Sequence, residues 1–372
     1  MANGVGRMLY FDNAATSFPK PKIVADACNE AFLQAGNPGR GAHKMALWSL
    51  RSLHHTRELI AELFNASSLE VVFCANTTMA LNEAIHQIEG EIVTTAMEHN
   101  SVLRPCYRRG NYRIVEANDG ELKTEKVLNA IGLQTKAVVM THVSNLTGEI
   151  YDIQTIGRYC RENNILFVVD AAQSAGIVPI DTHNMCIDML AFAGHKGLMG
   201  PTGTGGLVVG ERVSLKPFIY GGTGSKSHDL SQPREVPDVL ESGTQNIHGI
   251  AGLGAGIEFV LSVGVPKILN HEQELVGQFI EGISRIQGIK IYRRNCNRVG
   301  TVAVNFEGIS ASDASDWLAG QDVCVRGGAH CAPLAHDALR TGKRGAVRFS
   351  FGYFNTVDEI NQCLELIHDL TS

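Results

Sequence analysis

The chain has 372 residues, 44% of them hydrophobic and 19% charged, enough apolar material for a sizeable core and more than one compact unit usually holds. A net charge of −6 and a pI near 6.2 supply no whole-chain basic field, so neither nucleic acid nor an anionic membrane is expected as a partner, and the run YRRGNYR (107–113) reads as a solvated patch. The opening MANGVGRMLYFDN lacks the apolar segment of a signal peptide and no apolar run is long enough to cross a bilayer, so a cytoplasmic protein is expected.

In chain order, short apolar, β-branched runs predict strands at EVVFCAN (70–76), EIVTTAM (91–97), AVVMTHVS (137–144), ILFVVDA (165–171), MLAFAGH (189–195) and GGLVVG (205–210). Helical patterns such as LNEAIHQIEG and IQTIGRYCRENN lie between them, which predicts βαβ units and a mostly parallel sheet with helices on both faces. Past about residue 250 the texture changes to a small-residue helix (IHGIAGLGAGIEFVLSVG), then TVAVNF, AVRFSFG and a closing helix, a smaller α+β unit. The predicted division is a large α/β domain over 20–250 and a small domain formed by 1–19 and 251–372.

In such a fold ligands gather at the C-terminal ends of the strands, and several reactive side chains fall there. Lys196 follows MLAFAGH and precedes a glycine-rich loop, where partial burial depresses an amine's pKa and suits it to Schiff-base chemistry. Asp170 ends ILFVVD, where a buried carboxylate needs a cation such as a protonated pyridine nitrogen, and Gln173 follows three residues on. Thr77 and Thr78 stand between a strand and a helix, placed to hold a phosphate, and His99 follows another strand. Each has a plain structural explanation when taken alone: a strand-end lysine reaching solvent, a helix cap, a packed histidine. The glycines after Lys196 do not fit a dinucleotide fingerprint, because Val208 stands where a third glycine is required.

Nine cysteines, an odd number with no C-x-x-C pair, argue against a disulfide framework and against zinc-type ligand spacing, and no metal is expected. One of them, Cys331, lies in the glycine-rich stretch RGGAHCAPLAH.

Taken together and in order, ANTT, EHNS, HVSNLTG, VVDAAQSAG, GHKGLMGPTGTG, SGTQN, RGGAHC and AVRFSFGYFNT resemble the class V aminotransferase superfamily, of fold type I, and within it the cysteine desulfurases and selenocysteine lyases. The resemblance runs from YFDNAATSFPKP to the terminal helix and implies pyridoxal 5'-phosphate as cofactor. It implies that Lys196 binds the cofactor covalently, Asp170 pairs with its ring nitrogen, Gln173 reaches its phenolic oxygen and His99 stacks on the ring. Thr77, Thr78 and His195 match phosphate contacts, and Thr244 matches a threonine delivered by the other subunit of a homodimer. Asn145 matches a residue near the substrate and Arg348 the arginine that takes its carboxylate, while Lys196, Cys331 and His99 match the catalytic set. Ala193 departs from the pattern, standing where many relatives have a phosphate-binding serine; the GGTGS loop (221–225) is a candidate replacement. The Cys331 loop has the RxGxHC form but continues APLAH, where relatives differ.

The resemblance implies conversion of cysteine to alanine with transfer of sulfur to Cys331 as a persulfide, with an acceptor protein as a candidate partner beyond it. A thiolate there needs positive charge or amide donors, and Arg326, His330 and the Gly327–Gly328 backbone are candidates. Selenocysteine lyase, another carbon–sulfur lyase, a plain aminotransferase and a non-catalytic scaffold remain as alternatives.

Overall fold

The computed structural model describes residues 8–39 and 41–371; the readings that touch residues 1–7, for the leader and for the start of the small domain, lie outside the described residues. The strands are β1 (Leu9–Tyr10), β2 (Val71–Cys74), β3 (Glu91–Thr95), β4 (Tyr112–Val115), β5 (Thr135–Thr141), β6 (Leu166–Asp170), β7 (Met189–Ala193), β8 (Gly205–Val209), β9 (Ile289–Ile291), β10 (Thr301–Phe306), β11 (Val323–Cys324), β12 (Arg326–Gly328) and β13 (Ala346–Ser350). The helices are α1 (Lys22–Gln34), α2 (Lys44–Phe64), α3 (Thr77–His86), α4 (Asn100–Arg109), α5 (Thr124–Ala130), α6 (Ile153–Glu162), α7 (Ile247–Val263), α8 (Val265–Ile283), α9 (Ala311–Gly320), α10 (Pro333–Ala338) and α11 (Val357–Thr371).

The large sheet has seven strands in the order β2-β8-β7-β6-β5-β3-β4. Pairs among β7, β6, β5, β3 and β4 are parallel, whereas β8 runs antiparallel to both β7 and β2. The sheet is therefore mixed, and β8 is its one reversed strand among those described. Every residue of β2, β7 and β8 is buried, as expected of strands covered on both faces. The basic run 107–113 divides: Tyr107 is 76% exposed at the end of α4, Gly110 ends that helix at φ +82°, and Tyr112 and Arg113 begin the edge strand β4. Part of the expected solvated patch is thus sheet.

The smaller sheet, in the order β12-β13-β10-β9, is antiparallel throughout. Its core contains Phe279, Val304, Leu318, Phe349, Phe351 and Ile360, drawn from the strands and from α8, α9 and α11. Phe11 joins this core, and β1 pairs in parallel with β11, so the start of the described chain is tied to its end. The change of texture near residue 250 falls inside α7, whose Ile247, Ile250, Leu253 and Ile257 pack in the core of the large unit. Among the described residues no single helix is long and apolar enough to cross a membrane.

Candidate active site

β2, β3, β5, β6 and β7 all end on the same edge of the large sheet, and the loops that leave them converge there. Where this edge meets the small sheet lies a cavity of about 470 Å³. Ten residues expected from the sequence line it together: Thr77, Thr78, His99, Asn145, Asp170, Gln173, His195, Lys196, Cys331 and Arg348. Thr244 does not; it is exposed on the surface away from this cavity.

The turn bearing Lys196 requires glycine on both sides. A Cβ on Gly194 would come within 2.1 Å of Thr204 Oγ1, and one on Gly197 within 2.4 Å of the Ala175 carbonyl oxygen. These close approaches set the half-buried Lys196 into the cavity floor, where burial and then the Arg348 cation bring its pKa down to about 8. Asp170 is 3% exposed; burial pushes its carboxyl up, while the Ala172 N–H, 2.9 Å from Oδ1, and Lys196 oppose that rise. No ion pair reaches Asp170 among the described residues, so it is a buried acid without a bound cation.

At the other end of the cavity Asn76 caps α3, accepting from the Met79 N–H at 2.9 Å. Thr77 and Thr78 are therefore the first two helical residues rather than the cap, and their amides belong to the positive end of the helix dipole. Thr78 Oγ1 lies 2.8 Å from Ser101 Oγ, and both residues line the cavity. His99 Nδ1 accepts from the Ser101 N–H at 3.0 Å, which leaves the proton on Nε2; burial, Lys196 and Arg348 hold the ring neutral, with a pKa down at about 4. His195 is likewise brought down to about 4 by burial and its two lysine neighbours, and its Nδ1 is buried without a partner. Gln173 Nε2 donates to the Ala14 carbonyl at 3.0 Å.

Arg348 donates from Nη1 to the Asn145 carbonyl at 2.9 Å and pairs through Nη2 with Asp12 at 3.0 Å, leaving Nε buried and unpartnered. Asp12 also pairs with Arg326 at 2.8 Å, so one carboxylate bridges two guanidinium groups. Cys331 is exposed at the rim of the cavity, and both it and His330 adopt left-handed backbone, at φ +55° and +50°. For residues other than glycine that conformation costs roughly 1–2 kcal/mol each. The loop is held by Asn145 Nδ2 donating to the His330 carbonyl at 2.8 Å and by the Asn100 N–H donating to the Cys331 carbonyl at 2.7 Å.

One expectation needs correction. His330 cannot supply positive charge to Cys331, because burial and then Arg348 drive its pKa down to about 3; among the candidates Arg326 is the cation whose charge couples to that thiol. Within one chain Thr202 and Ala193 both line the cavity, whereas the loop 221–225, bonded to Gly243 through Gly222, lies with Thr244 outside it. Sequence reasoning also missed Asp12, Ser101 and Thr202. Ser101 was within reach as the second residue of a helix starting at a strand end, and Thr202 was hidden among glycines.

The arrangement fits pyridoxal phosphate. It offers an amine of lowered pKa for an aldehyde, a buried acid lacking a cation for a protonated ring nitrogen, and a helix N-terminus with two hydroxyls and an unpartnered His195 nitrogen for a phosphate. Fold and site together are those of a fold type I pyridoxal phosphate enzyme. Residues 9–363 match the aminotransferase class-V family, and the chain belongs to it. A relative from Methanothermobacter thermautotrophicus named "Probable cysteine desulfurase" is 35% identical over 97% of this chain and 94% of its own length. Another of that name from Pyrococcus abyssi is 34% identical over 98% and 94%. The apo structure of a cysteine desulfurase from Thermococcus onnurineus superimposes with a TM-score of 0.91 at 32% identity, covering 98% of this chain and 94% of that one. The S-sulfonic acid form of a cysteine desulfurase from Escherichia coli gives 0.87 at 25% identity, over 98% and 96%.

Proposed function

We propose that the protein is a cysteine desulfurase that converts L-cysteine to L-alanine and keeps the sulfur on Cys331 as a persulfide. The observation that carries this reading is the exposed Cys331 thiol at the rim of the cavity whose floor holds Lys196 and whose wall holds Arg348. Pyridoxal phosphate, when bound, supplies the electron sink that makes the substrate's α-proton removable. The protein's own groups do the rest. Asp170 pairs with the ring nitrogen, Gln173 and His99 address the ring, and Thr77, Thr78 and His195 hold the phosphate, with Ser101 and Thr202 beside them. Arg348 takes the substrate carboxylate through its planar guanidinium, next to Asn145. Lys196, once its amine is free again, carries the α-proton. The Cys331 thiolate attacks the substrate sulfur; the S–S bond forms as the C–S bond breaks, the bonding pair stays with carbon, and protonation there completes alanine. Cysteine and a thiol enter and alanine and a persulfide leave, so no external oxidant or reductant is required.

We also propose a homodimer in which the exposed Thr244 reaches the partner's cofactor, a reading supported by the exposed Phe32 and Leu33 on α1 and Met45 and Leu50 on α2. The compartment is taken as the cytoplasm and the persulfide's onward acceptor as another protein. The domain division stays at 20–250 against 1–19 with 251–372, with α7 serving as the helix that joins the two units.

The test is Cys331→Ala, assayed for alanine from cysteine and from selenocysteine with the same reductant present. A selenol is more acidic than a thiol and its bond to carbon is weaker, so selenium leaves without a protein nucleophile whereas sulfur needs one. Loss of nearly all alanine from cysteine, with most of that from selenocysteine retained, is expected. Parental alanine release from cysteine would make the enzyme a lyase that expels sulfide by elimination.

A further inference from the structure

The stretch HCAPLAH contains a second histidine that the chemistry above leaves unused. His336, in α10, is 2% exposed, and its ring lies almost parallel to that of His330, with centroids 5.5 Å apart and 14° between planes. His330 Nε2 is 2.9 Å from the Arg326 carbonyl oxygen and His330 Nδ1 is 3.3 Å from His336 Nε2. On the far side His336 Nδ1 is 2.6 Å from the hydroxyl of Thr341, which is 3% exposed.

The donors in this chain can be assigned. A carbonyl only accepts, so His330 Nε2 carries a hydrogen, and in the neutral ring Nδ1 must then accept. His336 Nε2 is therefore the donor to His330, and the His336 ring also bonds to the Ala329 main chain. Burial favours the neutral form of His336 as well, so its Nδ1 accepts from the Thr341 hydroxyl, whose other acceptor, the His336 carbonyl, is farther away at 3.0 Å. One directed chain runs from Thr341 through His336 and His330 to the main chain of Arg326. Both nitrogens of His330 are thereby engaged, which removes it as a base for the neighbouring Cys331 thiol. Its ring is instead tethered at two points, immediately before the cysteine and within the left-handed stretch.

We propose that His336 is a positioning residue for Cys331: acting through His330, it holds the left-handed turn that presents the thiol to the cavity. This rests on the reading of Cys331 as the sulfur acceptor. It predicts a defect centred on the step that needs the thiol: the cofactor groups lie on other elements, and Arg348, though linked to His330 through Asn145, keeps its Asp12 partner from outside the loop.

The experiment compares His336→Phe, His336→Gln and Thr341→Val with Cys331→Ala in the holoenzyme, measuring kcat and KM for alanine formation from cysteine and from selenocysteine. His336→Phe keeps a flat ring but offers no nitrogen, and a nucleophile displaced by about 1 Å loses on the order of tenfold to hundredfold in rate. A fall of that size in kcat on cysteine is expected, with KM for cysteine and both constants for selenocysteine changed by no more than about twofold. His336→Gln, which can restore the donor to His330, should recover most of the loss, and Thr341→Val should show a smaller loss on cysteine alone. If His336→Phe does not fold, the Gln and Val variants carry the test. Equal losses on both substrates would show that His336 merely supports the fold, and an unchanged kcat on cysteine would remove any role; either overturns the proposal. Should Cys331→Ala itself keep parental activity on cysteine, the persulfide reading fails first, and this proposal falls with it.

Discussion

The floor of the cavity and its rim hold their reactive groups by opposite means. Asp170 and Lys196 stand at or just beyond the ends of β6 and β7, central strands of a seven-stranded sheet, and the Lys196 turn is fixed by close approaches, to the Thr204 side chain and the Ala175 main chain, that favour glycine. Cys331 stands past β12, a three-residue edge strand of the smaller sheet, in a strained loop fastened by side chains from elsewhere in the chain. The floor carries groups that must stay registered to one rigid ring, and sheet hydrogen bonds provide that. On the proposed reading the rim carries a group that takes sulfur in and later gives it up, which suits an exposed loop whose geometry is set by a few removable contacts.

The contrast can be tested from the floor outward. Lys196→Ala should cost about 10²–10⁴-fold or more in turnover on both cysteine and selenocysteine, the range for removing a positioned proton-transfer group. Borohydride reduction and peptide mapping should place the cofactor on Lys196 in the parent; a label on another lysine would move the chemical floor elsewhere. Arg348→Ala, which removes a bidentate charge-assisted contact worth about 1.5–3 kcal/mol, should raise KM for cysteine roughly tenfold to hundredfold with a smaller change in kcat. If KM does not move, the rim's Arg326 rather than the wall's Arg348 anchors the carboxylate.

A milder effect should appear in the pH dependence of cofactor uptake. Only the neutral amine attacks the aldehyde, and Lys196 loses its proton at about pH 8, so the rate constant for pyridoxal phosphate capture by apoprotein should climb from pH 6 and level off above about 8. A rate that goes on climbing towards pH 10, followed by absorbance, would mean that the floor does not depress this lysine. The smallest effect is expected of Ala193→Ser. A hydroxyl added at this 2% exposed position on the cavity wall should tighten cofactor binding by about twofold to tenfold, the worth of one hydrogen bond. Unchanged affinity in a titration would show that Thr202 already fills that place.

The floor was legible in the sequence because its strands are buried on both faces and read as unbroken apolar runs, each stopping at a polar residue that is ordinary when taken alone and points to chemistry only in combination with the others. VVDAAQ and AFAGHK are of that kind. β4 escaped because an edge strand needs no apolar run; Tyr112–Val115 shows only one fully buried residue. α7 spans the proposed boundary at residue 250, and the glycines and alanines that let it pack closely against α1 and α2 leave little apolar periodicity to show which unit it faces. The rim was legible only as a motif. Its supports are contacts across long stretches of chain, Asn145 to His330 and Asp12 to Arg348, and no local periodicity encodes a pair of residues 185 or 336 positions apart.

Asp12 has a consequence for how the protein comes into being. The carboxylate that bridges Arg326 and Arg348 belongs to a segment that bridges to Ser350 and whose neighbour Asn13 bonds to Asn355. A ribosome emits residue 12 early and residue 355 some 343 positions later, so the large sheet can assemble on the nascent chain while the carboxylate pocket cannot. The Asp12–Arg348 pair cannot form until residue 348 has followed residue 12, so the carboxylate pocket is the last part of the site to close.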